Sequence, residues 1–171
     1  MDAKARQHDE AARLEIYRQL GLLDSPPEPV FDRITRLVAR SLSTPIALIS
    51  LIDENRQWFK SRHGIDLSET PREHSFCART IMRRTPMVIA DALADPRFAD
   101  NPIVTGSPRV RFYAGVPVLS REGVPVGALC AIDNRPRELD DEDLQTLVDL
   151  AAIVSREIQM REAVHLSRTA D

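Results

Sequence analysis

Cysteine is scarce in this chain. Cys77 and Cys130 are the only two in 171 residues, too few for a disulfide framework or for a zinc site closed by thiolates alone. An excess of basic charge is missing as well. Lys and Arg number 23 against 26 Asp and Glu, a formal net charge of -3, so there is no field of the kind that gathers nucleic acid. No apolar run approaches membrane-spanning length, and the opening MDAKARQHDEAARLEIYRQL is charged and lacks the apolar centre of a secretory signal. Internal repeats and low-complexity tracts are absent too. These absences set the expectation of a soluble, cytoplasmic protein with neither a nucleic-acid nor a membrane partner. Metal ligands are equally thin. His8, His63, His74 and His165 are dispersed, with no His-Glu-x-x-His and no Cys-x-x-Cys. His74 and Cys77 supply two ligands at helical spacing where a catalytic zinc needs three. No metal or haem motif stands out, and any cofactor is left unknown.

What is present is an ordinary globular composition, 43% hydrophobic and 29% charged, enough for one domain with a real core. Residues 9–20 read as a first helix, with Ala12, Ile16 and Leu20 on one face and Gly21 as its stop. After DSPPEP, a second helix is expected over 29–42, where Phe31, Ile34, Leu37, Val38 and Leu42 recur at helical spacing. PIALISLID is apolar in both alternating sets, the mark of a central strand covered on two faces. QWFKSRHG reads as its antiparallel partner across the turn DENR. Residues 65–72 read as loop, 75–84 as a short helix capped by Ser75, and MVIAD as a third strand. The long connection ALADPRFADNPIVTGSPR holds one expected helical turn, begun by Asp95 and Pro96. VRFYAGVPVL and VPVGALCAID form a second hairpin, and a long helix runs from about 140 to 168 behind the acidic cluster DDED. Hairpins need an antiparallel sheet, and helices at both chain ends can share one of its faces. The fold class is α+β.

LGLLDSPPEPVFDRITRLVARSL, IALISLIDENRQWFKSRHGID, HSFCARTI, VIADALADPRFADNPIVTG and VRFYAGVPVLSREGVPVGALCAIDNRPREL stand in one order over about residues 14–160. Together they resemble a GAF domain of the bacterial signalling type, found with sensor histidine kinases and diguanylate cyclases. The resemblance implies an antiparallel sheet of five to six strands, with N- and C-terminal helices on one face and a ligand cavity on the other. It divides the chain into a tail and helix start over 1–12, the domain over 13–160, and a connector helix over 140–168. Cys77 is followed by Ala78, not by the histidine of bilin-attaching relatives. The signature of cyclic-nucleotide-binding members is also missing. The several cysteines of the free methionine sulfoxide reductases are not matched by two.

Candidate ligand-binding residues are Trp58, His74, Cys77, Asp91, Arg97, Phe98 and Tyr113. Cys77 falls in the first turn after Ser75, where a helix dipole lowers a thiol pKa, but Phe76, Ala78 and Ile81 favour a small core or pocket-lining residue over a reactive one. Cys130 lies within a strand, with Val126, Ala128 and Ile132 expected on its face and Gly127, Leu129 and Ala131 on the other. Arg97 can fix an anion while Phe98 stacks over a ligand. Alternatively, Arg97 pairs with a neighbouring carboxylate and Phe98 plugs the sheet. Tyr113 offers a hydroxyl to orient a polar group, and Trp58 either lines the cavity or closes the core.

In the last helix, Leu144, Leu147, Ala151, Val154 and Ile158 form a three-and-four stripe, the seam of a coiled coil. At 1.5 Å per residue that helix is about 40 Å long, more than sheet cover requires. The expectation is therefore a homodimer through this stripe, with an output kinase or cyclase domain as partner, in a stand-alone regulator or a fragment of a longer protein. The function expected is a non-catalytic sensory domain that binds a small ligand and signals through its terminal helices. A thiol-redox sensor or reductase using Cys77 with Cys130, and a purely structural dimerisation module, are the alternatives.

Overall fold

The computed structural model describes residues 2–170; Met1 of the expected N-terminal tail lies outside them. Helix α1 (Ala3–Leu20) leads into α2 (Pro29–Leu42), then strands β1 (Ile46–Ile52), β2 (Arg56–His63) and β3 (Glu69–Pro71). A 3-10 turn (Arg72–His74), α3 (Phe76–Thr80), β4 (Met87–Ile89) and α4 (Pro102–Thr105) follow, before β5 (Phe112–Leu119), β6 (Pro125–Asp133) and α5 (Asp141–Thr169). The six strands form one sheet in the order β3-β2-β1-β6-β5-β4, and every pairing is antiparallel. The α+β architecture expected from the hairpin pattern is the one observed.

The sheet separates two apolar layers. Helices α1, α2 and α5 cover one face through Tyr17, Phe31, Val38, Leu147, Ala151 and Val154, which meet Leu51, Phe112 and Leu129. The other face carries Leu48, Ile52, Phe59, Tyr113 and Cys130 and is roofed by α3 and residues 91–110. Burial on both sides explains why the central strands are apolar at nearly every position.

Several expectations need correction. α1 starts at Ala3, because Asp2 caps it by accepting from the Ala5 amide at 2.7 Å. The first turns have no apolar period to betray them. Its fully buried residues are Arg13 and Tyr17, whereas Ala12, Ile16 and Leu20 flank them half-buried. In α2, Leu37 points outward. Residues 69–71, read as loop, add an edge strand to β2. The α3 helix stops at Thr80, and α4 was not foreseen. Val126 lies in the helix-side core, opposite to Ala128 and Cys130. The pairing steps from Val118↔Gly127 to Leu119↔Pro125, so Val126 is the extra residue of a β-bulge and the alternation reverses there.

The stripe on α5 is also reassigned. Leu147, Ala151, Val154 and Ile158 are buried against this chain's own sheet and α2. They are the inner face of the helix and are not available as a seam to a second subunit.

Each terminal helix grips the end of a central strand by its polar groups. β1 and β6 pair as far as Ser50↔Ala128. Beyond that the Tyr17 hydroxyl enters between them, accepting from the Ile52 amide at 3.0 Å and donating to the Val126 carbonyl. Arg13, one turn earlier, donates its Nε to the Ile52 carbonyl at 2.9 Å. Both backbone groups of Ile52 are thus held by α1. On β5, the Leu119 amide donates to Ser155 Oγ at 2.9 Å, and the Leu119 carbonyl accepts from Gln159 Nε2 at 3.1 Å. Both backbone groups of Leu119 are held by α5.

Candidate functional site

The face of the sheet away from the helices carries a polar knot inside an apolar layer. Cys77 enters it from α3, whose first turn is fixed by Ser75: the Ser75 hydroxyl accepts from the Ala78 amide at 3.0 Å and donates to Gln57 Oε1 at 2.6 Å. Cys130 enters from β6 and Tyr113 from β5. The Cys77 and Cys130 sulfurs are 3.7 Å apart. The Tyr113 hydroxyl is 3.1 Å from Cys77 Sγ and 2.7 Å from Thr80 Oγ1. Gly115 permits this, because a methyl group there would overlap the Tyr113 phenol. Ser50, on the same face of β1, has a buried hydroxyl without a hydrogen-bond partner.

Burial raises the Cys77 thiol, but the polar groups around it, Cys130 first and then Ser50 and Tyr113, outweigh burial and bring the thiol below its ordinary value. Cys130 moves the other way, raised by its hydrogen bond to Cys77 and by burial. Tyr113 is also held up, first by burial and then by repulsion from Cys77. Cys77 is therefore the sulfur that takes negative charge most readily, while Cys130 keeps its proton.

The roof closes over this knot. Phe98 is 1% exposed, with its ring centroid 4.4 Å from that of Phe76. Arg79 and Arg97 lie over the Phe98 ring at 5.1 and 5.2 Å. Asp95 begins the turn that delivers Phe98, its carbonyl accepting from the Phe98 and Ala99 amides. Its carboxylate holds Arg97 at 2.7 Å. Asp91 accepts from the Leu93 amide, and the His74 carbonyl accepts from Asn101 Nδ2 at 3.3 Å. Of the candidate residues, the fold brings together Cys77, Phe98 and Tyr113. Asp91, Arg97 and His74 sit in the roof's outer parts. Trp58 is on the helix side of the sheet, so it cannot line the same space. Arg97 and Phe98 adopt the paired and plugging arrangement. Ser50, Thr80 and Arg79 escaped sequence reasoning; the single hydroxyl inside IALISLI was the available signal for Ser50. Among the described residues, no cluster of three or more His, Cys, Asp or Glu is placed to hold a metal ion, and no helix is long and apolar enough to cross a membrane.

Ion pairs tie the roof to α1 around the end of the sheet. Arg72, which leads into α3, meets Glu10 with two hydrogen bonds of 2.7 and 2.8 Å. Arg84, which follows α3, reaches Asp9 at 3.2 Å. On the helix side, Glu28 joins Lys60 of β2 at 2.7 Å to Arg161 of α5. Lys60 shares the helix-side face with Trp58, and a second bulge, between Ile49↔Ser61 and Ser50↔Phe59, turns Ser61 to that side as well, where its hydroxyl donates to Asp32 Oδ1 at 2.6 Å. The Arg72 hydrogen bond holds the Glu10 carboxyl down at about 2, and that of Arg161 does the same for Glu28. Carboxyls depressed in the folded state stabilise it above their unfolded pKa and lose that contribution as pH falls through the folded value. Urea midpoints are thus expected to fall progressively from about pH 4.5 toward about pH 2, and less steeply in Glu10→Gln and Glu28→Gln variants. Unchanged slopes in both variants would count against these pairs.

The sheet, its helical cover and its roofed face define an α+β fold of the GAF type. The chain belongs to the GAF domain family, whose model matches residues 26–158. It is 45% identical over 151 residues to a cyclic di-GMP phosphodiesterase of Pseudomonas aeruginosa, an alignment covering 88% of this chain and 26% of that protein. The chain thus spans about a quarter of that relative. Among solved structures it resembles the GAF domain of an Acinetobacter phosphoenolpyruvate-protein phosphotransferase, with TM-score 0.64, 22% identity and coverage of 96% and 98% of the two chains. It also resembles the free methionine-R-sulfoxide reductase of Neisseria meningitidis, with TM-score 0.61, 17% identity and coverage of 86% and 89%. Domains of a phosphotransferase and of a reductase share this fold, so the fold alone does not choose between regulation and catalysis.

Proposed function

We propose that this GAF domain is a regulatory, non-catalytic unit that binds a small ligand between the sheet and the α3/91–110 roof and reports occupancy through α1 and α5. The observation that carries this reading is the pair of roof-to-helix bridges, Arg72–Glu10 and Arg84–Asp9. A ligand that moves α3 strains or releases both bridges, and α1 in turn holds the end of β1. Such a ligand acts only through different affinities for the two arrangements. The output is a kinase, cyclase or phosphodiesterase domain of the same or an associated protein, in line with the length of the Pseudomonas relative.

The reporting unit is a dimer. With the Leu147 stripe consumed internally, the apolar surface left to a second copy on α5 is Ile153, Met160, Val164 and Leu166, each at least half exposed. Met160 and Val164 border a groove with Leu20 of α1, so a partner seated there would touch both terminal helices. Native mass spectrometry of freshly purified protein tests both parts at once. A dimer carrying added mass, converted to monomer by Val164→Asp, is expected. A monomer with no added mass, and no thermal shift across nucleotides and metabolites, would sink the reading.

A further inference from the structure

We propose that Cys77 and Cys130 form a reversible disulfide, making the roofed face of this domain a peroxide-responsive thiol switch. The inference is independent of the small-ligand reading, and its chemistry is that of a sensor consumed once per event, not of a turning-over reductase.

Geometry carries it. The chain's two cysteines are 53 positions apart, yet the fold sets their sulfurs 3.7 Å from each other, one on the roof and one on the sheet. Two thiols serving only as small apolar filler would be expected among apolar neighbours. Here the polar groups of an otherwise apolar layer converge on them instead. The Tyr113 hydroxyl lies against Cys77 with Thr80 behind it. The buried Ser50 hydroxyl has no hydrogen-bond partner, and Ser50 stands on the roofed face of β1, next to the strand that carries Cys130. A buried hydroxyl without a partner is costly in a core. It has a use once a neighbouring sulfur carries charge. Of the two sulfurs, Cys77 takes negative charge more readily and is the one that meets the oxidant, while Cys130, 3.7 Å away, resolves it and gives up its proton as it attacks.

The step balances with hydrogen peroxide as the oxidant. Cys77 loses its proton and the thiolate attacks one peroxide oxygen; an S–O bond forms, the O–O bond breaks, and the departing hydroxide takes up the proton that Cys77 released to become water. Cys77 is then a sulfenic acid, oxidised by two electrons. The Cys130 sulfur attacks Cys77 Sγ; the S–S bond forms, the S–O bond breaks, and hydroxide leaves with the Cys130 proton as a second water. Access runs past α3, whose first turn borders an open depression lined by Arg72, Ser75, Ala78 and Arg79. Peroxide is close to water in size, so a local opening of this five-residue helix suffices.

The consequence is mechanical. A disulfide draws the sulfurs to about 2.05 Å from 3.7 Å, pulling α3 toward β6 and depriving Tyr113 of its thiol neighbour. Arg72 and Arg84 flank α3, so the displacement loads the bridges to Glu10 and Asp9.

The test uses the unmodified chain. After exposure to hydrogen peroxide and quenching, the protein is unfolded in iodoacetamide and measured by intact mass. The expected result is loss of both alkylation sites together, a mass lower by two hydrogens before alkylation, one peptide cross-linking Cys77 to Cys130, and full reversal by dithiothreitol. In Cys130→Ser, oxidation should stop at a sulfenic acid on Cys77 that dimedone traps. Two alkylatable thiols after peroxide treatment, or oxygen added to either sulfur without a cross-link, would overturn the proposal. The wild-type cross-link decides the matter even if Cys130→Ser fails to fold.

Discussion

Replacing Tyr17 by Phe is expected to destabilise the domain by about 2–4 kcal/mol, although it removes a single oxygen. The hydroxyl accepts from the Ile52 amide and donates to the Val126 carbonyl, at the point where β1 and β6 stop pairing directly. Its loss leaves one buried donor and one buried acceptor unpaired, each worth about 1–3 kcal/mol when desolvated without a partner. The phenyl ring still fills its place among Leu22, Val126 and Leu51, so the packing contribution barely changes. Urea unfolding should show a lower midpoint at an unchanged slope. A loss below about 1 kcal/mol would mean that the strands close on each other once the hydroxyl is gone. Because Arg13 holds the other polar group of Ile52, the variant should also loosen α1 against the sheet. Faster amide exchange at Ile52 would register this.

That clamp marks the limit of what the sequence revealed. The span of α2 was legible from Pro29 to Leu42, because Pro starts it and Phe31, Ile34, Val38 and Leu42 share one face. The hairpin of β5 and β6 was legible because Tyr113 opposes Phe112 and Ala114 across the sheet. Arg13 and Tyr17 were not. A buried arginine and a tyrosine that bridges two strands are chosen by partners 39 and 109 residues away, which no local period encodes. Val126 was lost for another reason: it is the extra residue of a bulge, and one inserted residue reverses the faces that alternation assigns. The stripe on α5 was read correctly as apolar and wrongly as free. Helical spacing shows that a face will be buried, not which chain will bury it.

The candidate site repeats the pattern at smaller scale. HSFCARTI and GALCAID each show a cysteine, but nothing in either segment states that the two sulfurs meet. The contact follows from β6 lying at the centre of the sheet beside β1 and from α3 packing across it, both properties of topology. Ser50 belongs to the same knot for the same reason. Its position on β1 faces the roof because Leu48 and Ile52 do.

Phe98→Ala carries the other large expectation, a loss of about 3–5 kcal/mol, the usual cost of deleting a buried aromatic ring. Phe98 is 1% exposed; it stacks on Phe76 and lies beneath the Arg79 and Arg97 guanidinium groups. The substitution opens an apolar gap beside Cys77 and Tyr113, between roof and sheet. If the surrounding layer holds its shape, benzene or indole should bind there and raise the melting temperature of the variant but not of the wild type. The same variant bears on the sensory reading. A ligand that must displace Phe98 binds with an affinity reduced by the small population of open roof. Removing the ring removes that penalty, so any ligand found for the wild type should bind Phe98→Ala more tightly despite the lower stability. Weaker binding would show instead that Phe98 is itself a contact, stacking on the ligand. A loss in stability under about 1 kcal/mol would show that the roof collapses into the space and that no room for a ligand can be made there.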